Sequence, residues 1–142
     1  MADPYDLERF MQAQAAAMPQ VLQELRAGRK RTHWMWFVFP QLRALGQSPM
    51  AKRYGIASLD EARAYMSHPV LGPRLIQCTE LVRTIEGRTL HDIFGSPDDM
   101  KFRSSMTLFA RASPATAVFA EALQQLCAGN SDPRTEALLE TG

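Results

Sequence analysis

Apolar residues recur at the spacing of an α-helix along most of the chain. In the segment 118–126 they form one stripe, because intervals of three or four residues return to the same helix face; its members are Val118, Phe119, Ala122, Leu123 and Leu126. Alternation with period two, typical of a half-buried strand, is seen only over Trp34, Trp36 and Val38. No Asn-Gly or Asp-Gly hairpin dipeptide occurs. The pattern therefore predicts helices.

Helix starts and stops divide these segments. Asp or Ser precedes Pro in dipeptides that suit a helix N-terminus, because the side-chain oxygen accepts a free backbone N–H and Pro needs none there: Asp3-Pro4, Ser48-Pro49, Ser96-Pro97, Ser113-Pro114 and Asp132-Pro133. A further start, Ser58-Leu59-Asp60-Glu61, has the spacing of a capping box. Helices are expected to end near glycines that could adopt a left-handed cap, namely Gly28, Gly55, Gly87, Gly95 and Gly129.

We therefore expect a single all-α domain over residues 1–142, with about seven helices and short loops. Pro19 lies inside an otherwise helical stretch, so a kink or two consecutive helices is expected at 14–28. The chain becomes polar after Gly129, and residues 131–142 are expected to form a loosely docked tail.

The charge balance excludes attraction of the whole surface to nucleic acid or to an anionic membrane. The formal net charge is +1 and the pI is about 7.8, so any anion site must be local. No apolar run reaches the roughly 18 residues that cross a bilayer, and residues 1–4 lack the features of a signal peptide. Cys78 and Cys127 lie far apart in apolar segments and are expected to be buried thiols. A cytoplasmic protein without nucleic-acid or membrane partners is expected.

The densest aromatic segment, residues 33–40, directly follows a basic cluster. In a functional interpretation Arg29 and Lys30 hold a phosphate or carboxylate while Trp34 or Trp36 stacks on a ring. In the ordinary interpretation the aromatic side chains form core and the cations are solvated. Two tryptophans at i and i+2 cannot share one helix face, so one of them is expected to line a cavity.

A second segment of interest is 98–109. Serine favours caps and turns, so the pair Ser104-Ser105 inside a predicted helix indicates either close packing or an approaching ligand. The ordinary interpretation of the segment is intrahelical ion pairing above a buried apolar edge of Met100, Met106 and Phe109.

Motifs for known chemistry are absent. The chain has no Gly-x-Ser-x-Gly elbow, phosphate-binding glycine loop or His-Glu-x-x-His. No histidine has an acidic or cysteine partner at metal-ligand spacing, so neither a metal nor a cofactor is expected. His33 could act as a general acid or base, since histidine exchanges protons near neutral pH, or it could be a hydrogen-bonded core residue.

Residues 28–42, from Gly28 through the aromatic segment to Gln41-Leu42, form a distinctive motif. Other short matches accompany it in order: Ala13-Gln14, Leu45-Gly46, Tyr54-Gly55-Ile56, His68-Pro69 and residues 104–109. Together they resemble domain-of-unknown-function family 1810 over nearly the whole chain, with Met18 standing where an aromatic residue is expected. The resemblance implies a small, mostly helical and mainly bacterial protein. Members often carry the label calpastatin, but nothing in this chain resembles a disordered protease inhibitor.

A fainter similarity is to the NADAR domain, helical proteins linked to cleavage of N-glycosidic bonds. Ala13-Gln14, Glu61-Ala62 and Lys101-Phe102 follow the order of residue pairs in that domain, although Ala13 replaces its early acidic residue. The similarity implies an N-glycosidic substrate of the ribose-phosphate class.

The leading hypothesis is a pocket for a small anionic, nucleotide- or ribose-phosphate-like ligand. The residues expected to bind the ligand are Arg29, Lys30, Trp34, Trp36, Gln41, Ser104 and Ser105. Whether the protein is an enzyme is left open; the candidate reaction is N-glycosidic hydrolysis, with Asp99 or His33 as the base and Lys101 orienting polar groups. The alternative is a non-enzymatic interaction module, in which the aromatic run forms core or an interface and a homodimer is expected.

Overall fold

The computed structural model describes residues 3–141; Met1, Ala2 and Gly142, at the two ends of the predicted domain, lie outside the described residues. The described part contains helices and no β-strand, which confirms the all-α class. The helices are α1 Glu8–Arg26, α2 Met35–Val38, α3 Pro49–Tyr54, α4 Leu59–Ser67, α5 Leu71–Thr84, α6 Leu90–Phe94, α7 Asp98–Ala112, α8 Val118–Leu126 and α9 Pro133–Thr141. A 3-10 turn, Arg43–Leu45, lies between α2 and α3.

Local capping explains two predicted helix starts. The Ser48 hydroxyl accepts the Ala51 N–H at 3.1 Å and begins α3, and the Ser58 hydroxyl accepts the Glu61 N–H at 3.1 Å and begins α4. The predicted capping box at Ser58 is only half formed, because the Glu61 carboxylate accepts the Ala57 N–H instead. Both halves of a box occur at Thr89, which begins α6.

The predicted start at Ser113 is wrong. Helix α8 begins at Val118, and the Ser113 hydroxyl instead lies 2.7 Å from the Thr116 hydroxyl within a turn. Ser-Pro suits a turn as well as a helix start, so the dipeptide alone does not distinguish them. Gly55 also differs from expectation: its φ of −67° is not left-handed. A Cβ there would lie 2.4 Å from Arg43 Cα, so close approach of the backbone requires glycine.

Helix α1 runs unbroken through Pro19, so the prediction of two consecutive helices is wrong. Pro19 is exposed, and so is Ala15, whose carbonyl loses its helical N–H donor at position 19 and can pair with solvent instead. The buried face continues on both sides of it through Phe10, Gln14, Met18, Val21 and Leu25. Packing of this face against α2 and α5 stabilises the helix across the proline.

Helix α7 lies at the centre of the fold and packs against α4, α6, α8 and α9. Phe102 on this helix joins an aromatic cluster with Trp34, Phe39 and Phe94, with the Phe39 and Phe102 ring centroids 5.1 Å apart. The ordinary interpretation therefore holds for most of the aromatic segment, whose bulk forms core.

The terminal helix α9 packs against α7. Thr135 is fully buried, and Arg111 pairs with Glu136 at 3.2 Å. The loose docking expected of residues 131–142 stays a prediction. Over residues 3–141, no helix combines the length and apolar character that a membrane span requires.

Candidate functional site

Glu24 organises the basic-aromatic segment. Its carboxylate is 2% exposed and accepts hydrogen bonds from the backbone N–H groups of Arg31 and Thr32, the Thr32 hydroxyl, Trp34 Nε1 and Gln20 Nε2, at 2.7–3.0 Å. Burial raises the pKa of Glu24, but the hydrogen bonds outweigh burial and lower the pKa to about 2. The charged carboxylate thus fixes the loop that precedes the aromatic run.

This loop separates the neighbouring cations. Lys30 turns inward, with its side chain 8% exposed, whereas Arg29 and His33 are exposed. Neither Arg29 nor His33 makes a side-chain hydrogen bond or ion pair within the described part of the chain. Within the same described residues, neither side chain lines a cavity together with Lys30. The structure therefore does not bring Arg29, Lys30 and His33 together around one ligand site.

Lys30 and Lys101 share the carboxylate of Asp98. Lys30 Nζ lies 2.9 Å from one oxygen and Lys101 Nζ lies 3.6 Å from the other. Each ammonium also lies over a tryptophan ring, Lys30 at 5.3 Å from the Trp34 centroid and Lys101 at 5.2 Å from that of Trp36. The contact of Asp98 with Lys101 is an intrahelical pair of the kind predicted for the segment 98–109, whereas its contact with Lys30 depends on the tertiary fold.

The two tryptophans differ as their spacing predicts. Trp34 is 2% exposed and donates to Glu24, so it cannot stack on a ligand in this structure. Trp36 is half-buried and lines a crevice of only about 10 Å³ beneath Lys101. The stacking role expected of either tryptophan is therefore not available in this conformation.

A larger concavity lies beside that crevice, and we call it the α7 cleft. It has a volume of about 350 Å³ and lies between the loop before α3, the first half of α7 and the start of α9. Its polar lining consists of Gln41, Gln47, Ser48, Lys101, Arg103, Ser104, Asp132 and Arg134. Gln41, Lys101 and Ser104 were among the residues expected from sequence; the contributions of Gln47, Arg103, Asp132 and Arg134 were missed.

The predicted serine pair divides between two roles. The Ser104 hydroxyl lies 2.9 Å from Asp132 Oδ2 in the α7 cleft and 3.1 Å from the Met100 carbonyl. Ser105 is fully buried with no hydrogen-bond partner for its hydroxyl within the described residues. Ser105 does not line the cleft, and its small size fits the close packing of α7 against its neighbours.

Asp132 joins α7 to α9. Its Oδ2 accepts from Ser104 and from the Thr135 N–H and hydroxyl, while its own N–H donates to Thr107 Oγ1 at 2.9 Å. Burial raises the pKa of Asp132, but the hydrogen bonds from Thr135 and Ser104 outweigh it and hold the pKa below its usual range. Asp132 therefore remains a carboxylate acceptor near neutral pH.

The residues expected to catalyse do not form one constellation. Asp99 lies in a shallow depression with Leu90 and Cys127, and its Oδ2 is 3.4 Å from His91 Nδ1. His33 is exposed and lies in none of the cavities described, while Lys101 lies in the α7 cleft. No cluster of three potential metal ligands occurs among residues 3–141.

The residue pairs shared with the NADAR domain also lie apart. Gln14 donates to the Phe37 carbonyl and to Tyr65, in the core. Glu61 pairs with Arg9 at 2.7 Å. Since Lys101 belongs to the α7 cleft, the common order along the chain does not correspond to a common site.

Another cavity, of about 490 Å³, lies between the start of α4 and α9. Its floor is apolar, formed by Leu42 and Ile56, and the cation on its rim, Arg63, already pairs with Asp60 at 3.4 Å. The α7 cleft is smaller but carries more positive charge, so it is the better candidate for an anion.

Comparison with known proteins gives a family and a fold. The crystal structure of the conserved hypothetical protein Rv1873 from Mycobacterium tuberculosis, at 1.38 Å, superposes with a TM-score of 0.96. The two sequences are 59% identical over 97% of this chain and 99% of that one. No functionally curated protein matches this sequence. The sequence model of a family described as "Protein of unknown function (DUF1810)" matches residues 4–139, and the chain belongs to that family.

Proposed function

We propose that the α7 cleft binds a small anionic ligand of the nucleotide or ribose-phosphate class. The observation that carries the proposal is the meeting of three cations, Lys101, Arg103 and Arg134, with one carboxylate, that of Asp132, and neutral hydrogen-bonding groups in one concavity. The Arg103 guanidinium donates to the backbone carbonyls of Asn130 and Ser131, so its charge is not cancelled by a carboxylate. The cleft lining therefore carries a net positive charge, which attracts phosphate.

Lys101 can turn towards a ligand at small cost. Its contact with Asp98, at 3.6 Å, is longer than the 2.9 Å contact of Lys30 with the same carboxylate. If Lys101 leaves, Asp98 keeps its pairing with Lys30. The arrangement thus supplies a mobile cation without leaving the half-buried Asp98 carboxylate unpaired.

The size of the cleft limits the ligand. Small-molecule sites have volumes of about 300–1,000 Å³, and the α7 cleft, at about 350 Å³, lies at the lower end. A mononucleotide or a sugar phosphate suits this volume better than a dinucleotide.

Binding is a better supported function than turnover. The cleft carboxylate, Asp132, is committed to hydrogen bonds with Ser104 and Thr135, and the proposed bases His33 and Asp99 lie elsewhere. N-glycosidic hydrolysis therefore stays a prediction that follows only if binding is found. The cytoplasmic location and bacterial origin expected from sequence likewise stay predictions.

The alternative, an interaction module, finds less support from the aromatic run. Trp34 and Phe37 are 2% and 8% exposed, so they do not form an apolar surface patch. The homodimer expected under that alternative stays a prediction, which gel filtration or light scattering tests directly.

The proposal is tested by isothermal titration calorimetry and thermal shift with AMP, ribose 5-phosphate and pyrophosphate. A ligand at 100 times its Kd stabilises by about 2.7 kcal/mol, or several degrees in Tm. Lys101→Met keeps an unbranched side chain but removes the charge, and we expect it to weaken binding about tenfold or more. Lys52→Met, on the exposed surface of α3, is the matched control and should leave binding unchanged.

Two results would contradict the proposal. One is that none of the three anions binds the wild-type protein at millimolar concentration. The other is that Lys101→Met and Lys52→Met weaken binding equally, since only Lys101 lines the cleft.

A further inference from the structure

Met100 is an apolar side chain that faces solvent. It is 63% exposed, although Met106 and Phe109 on the same helix are fully buried. The expectation of a buried edge formed by these three residues is thus wrong for Met100. Six residues separate Met100 from Met106, which is about 240° around a helix, so the two cannot share a face.

Met100 stands at the rim of the α7 cleft, next in sequence to Lys101. Its backbone is fixed, because its N–H donates to the Pro97 carbonyl at 3.0 Å and its own carbonyl accepts from Ser104 at 3.1 Å. A flexible thioether therefore stands on a rigid base beside the cleft cations. Methionine is well suited to contact with flat rings, since its sulfur is polarisable and its side chain adapts in shape.

We propose that Met100 contacts the base of a bound nucleotide and so makes the α7 cleft selective for nucleotides over bare sugar phosphates. This inference rests on the proposed function, because the phosphate contacts of Lys101 and Arg134 place the ligand. The carboxamides of Gln41 and Gln47 line the same cleft and offer donors and acceptors to the polar edge of the base.

Trp36 does not perform this role. The crevice beside its ring, about 10 Å³, is too narrow for a base. Met100 is the large apolar side chain of the cleft lining with most of its surface still in solvent, so it gains most from covering a ring.

The test compares AMP with ribose 5-phosphate, which carries a hydroxyl at C1′ where AMP carries the base. Both ligands are titrated calorimetrically into the wild type, Met100→Ala and Met100→Gln. Met100→Gln keeps the side-chain length and removes its apolar end. We expect AMP to bind the wild type more tightly, and both variants to weaken AMP about three- to tenfold while changing ribose 5-phosphate less than about twofold. Leu138→Ala, which alters an exposed apolar residue of the other large cavity, should change neither affinity.

The two proposals fail in different ways. If both ligands bind the wild type with equal affinity, or if the preference for AMP survives in both Met100 variants, the role of Met100 is overturned while Lys101→Met still reports on the cleft. If neither ligand binds the wild type, both proposals are overturned.

Discussion

Glu24→Gln removes one buried charge and keeps the shape of the side chain. In the wild type, Glu24 Oε1 accepts three N–H groups, from Arg31, Thr32 and Trp34. The amide oxygen of glutamine can still accept these bonds, but without the strength that a charged acceptor gives. The substitution therefore removes the charge and also turns Oε2, which accepts from Gln20 Nε2 and the Thr32 hydroxyl, into a donor.

The magnitude follows from the pKa. Lowering the Glu24 pKa from its ordinary 4.5 to about 2 corresponds to roughly 3 kcal/mol of stability near neutral pH, at about 1.4 kcal/mol per pH unit. Because the folded-state pKa is depressed, this stability is fully present above the unfolded pKa and is lost as the pH falls towards 2. We expect Glu24→Gln to cost about 3 kcal/mol at pH 7 and roughly half of that at pH 3.

Urea denaturation followed by tryptophan fluorescence measures this difference, since Trp34 is buried beside Glu24. Comparing the variant with the wild type at each pH cancels the other carboxyl groups. Glu86→Gln is the control, because Glu86 is exposed and has no ion pair with another described residue. A cost below about 1 kcal/mol at pH 7, or one that does not shrink at pH 3, would refute the reasoning.

Two further predictions concern packing and thiol chemistry. A Cβ at Gly72 would lie 2.3 Å from the Met66 carbonyl oxygen, so Gly72→Ala should lower the free energy of unfolding by about 2–3 kcal/mol. Gly87 has open space around it and a φ of +73°, so Gly87→Ala should lower it by only about 1 kcal/mol. Equal shifts of the two variants in thermal denaturation would contradict this. Burial raises the pKa of Cys78 to about 12, so a disulfide reagent should modify only half-buried Cys127 in the native protein, and Cys127→Ser should abolish native labelling.

Helix starts could be predicted from the sequence where the capping interaction lies within one short segment. Ser48 and Ser58 cap helices through bonds three residues away, so their prediction needed no tertiary information. Ser113 failed because its hydroxyl bonds Thr116 in a turn, an option that the same local sequence permits.

The candidate site was predictable only in part. Lys101 and Ser104 were found because polar groups inside a helix are conspicuous, and Gln41 because it lies in the motif of the family. Their meeting with Asp132 and Arg134 depends on α9 docking against α7, and no pattern in the sequence specifies that contact. Four of the five bonds to Glu24 were hidden for the same reason, since their donors on Arg31, Thr32 and Trp34 meet the carboxylate only when the loop folds over α1.

Asp132 joins α7 to α9, and the α7 cleft beside it is lined on one side by the loop before α3 and on the other by the start of the last helix. A molecule bound in the cleft would contact both sides and would therefore stabilise the docking of α9. Binding of a ligand in the cleft should then slow amide hydrogen exchange in α9, residues 133–141.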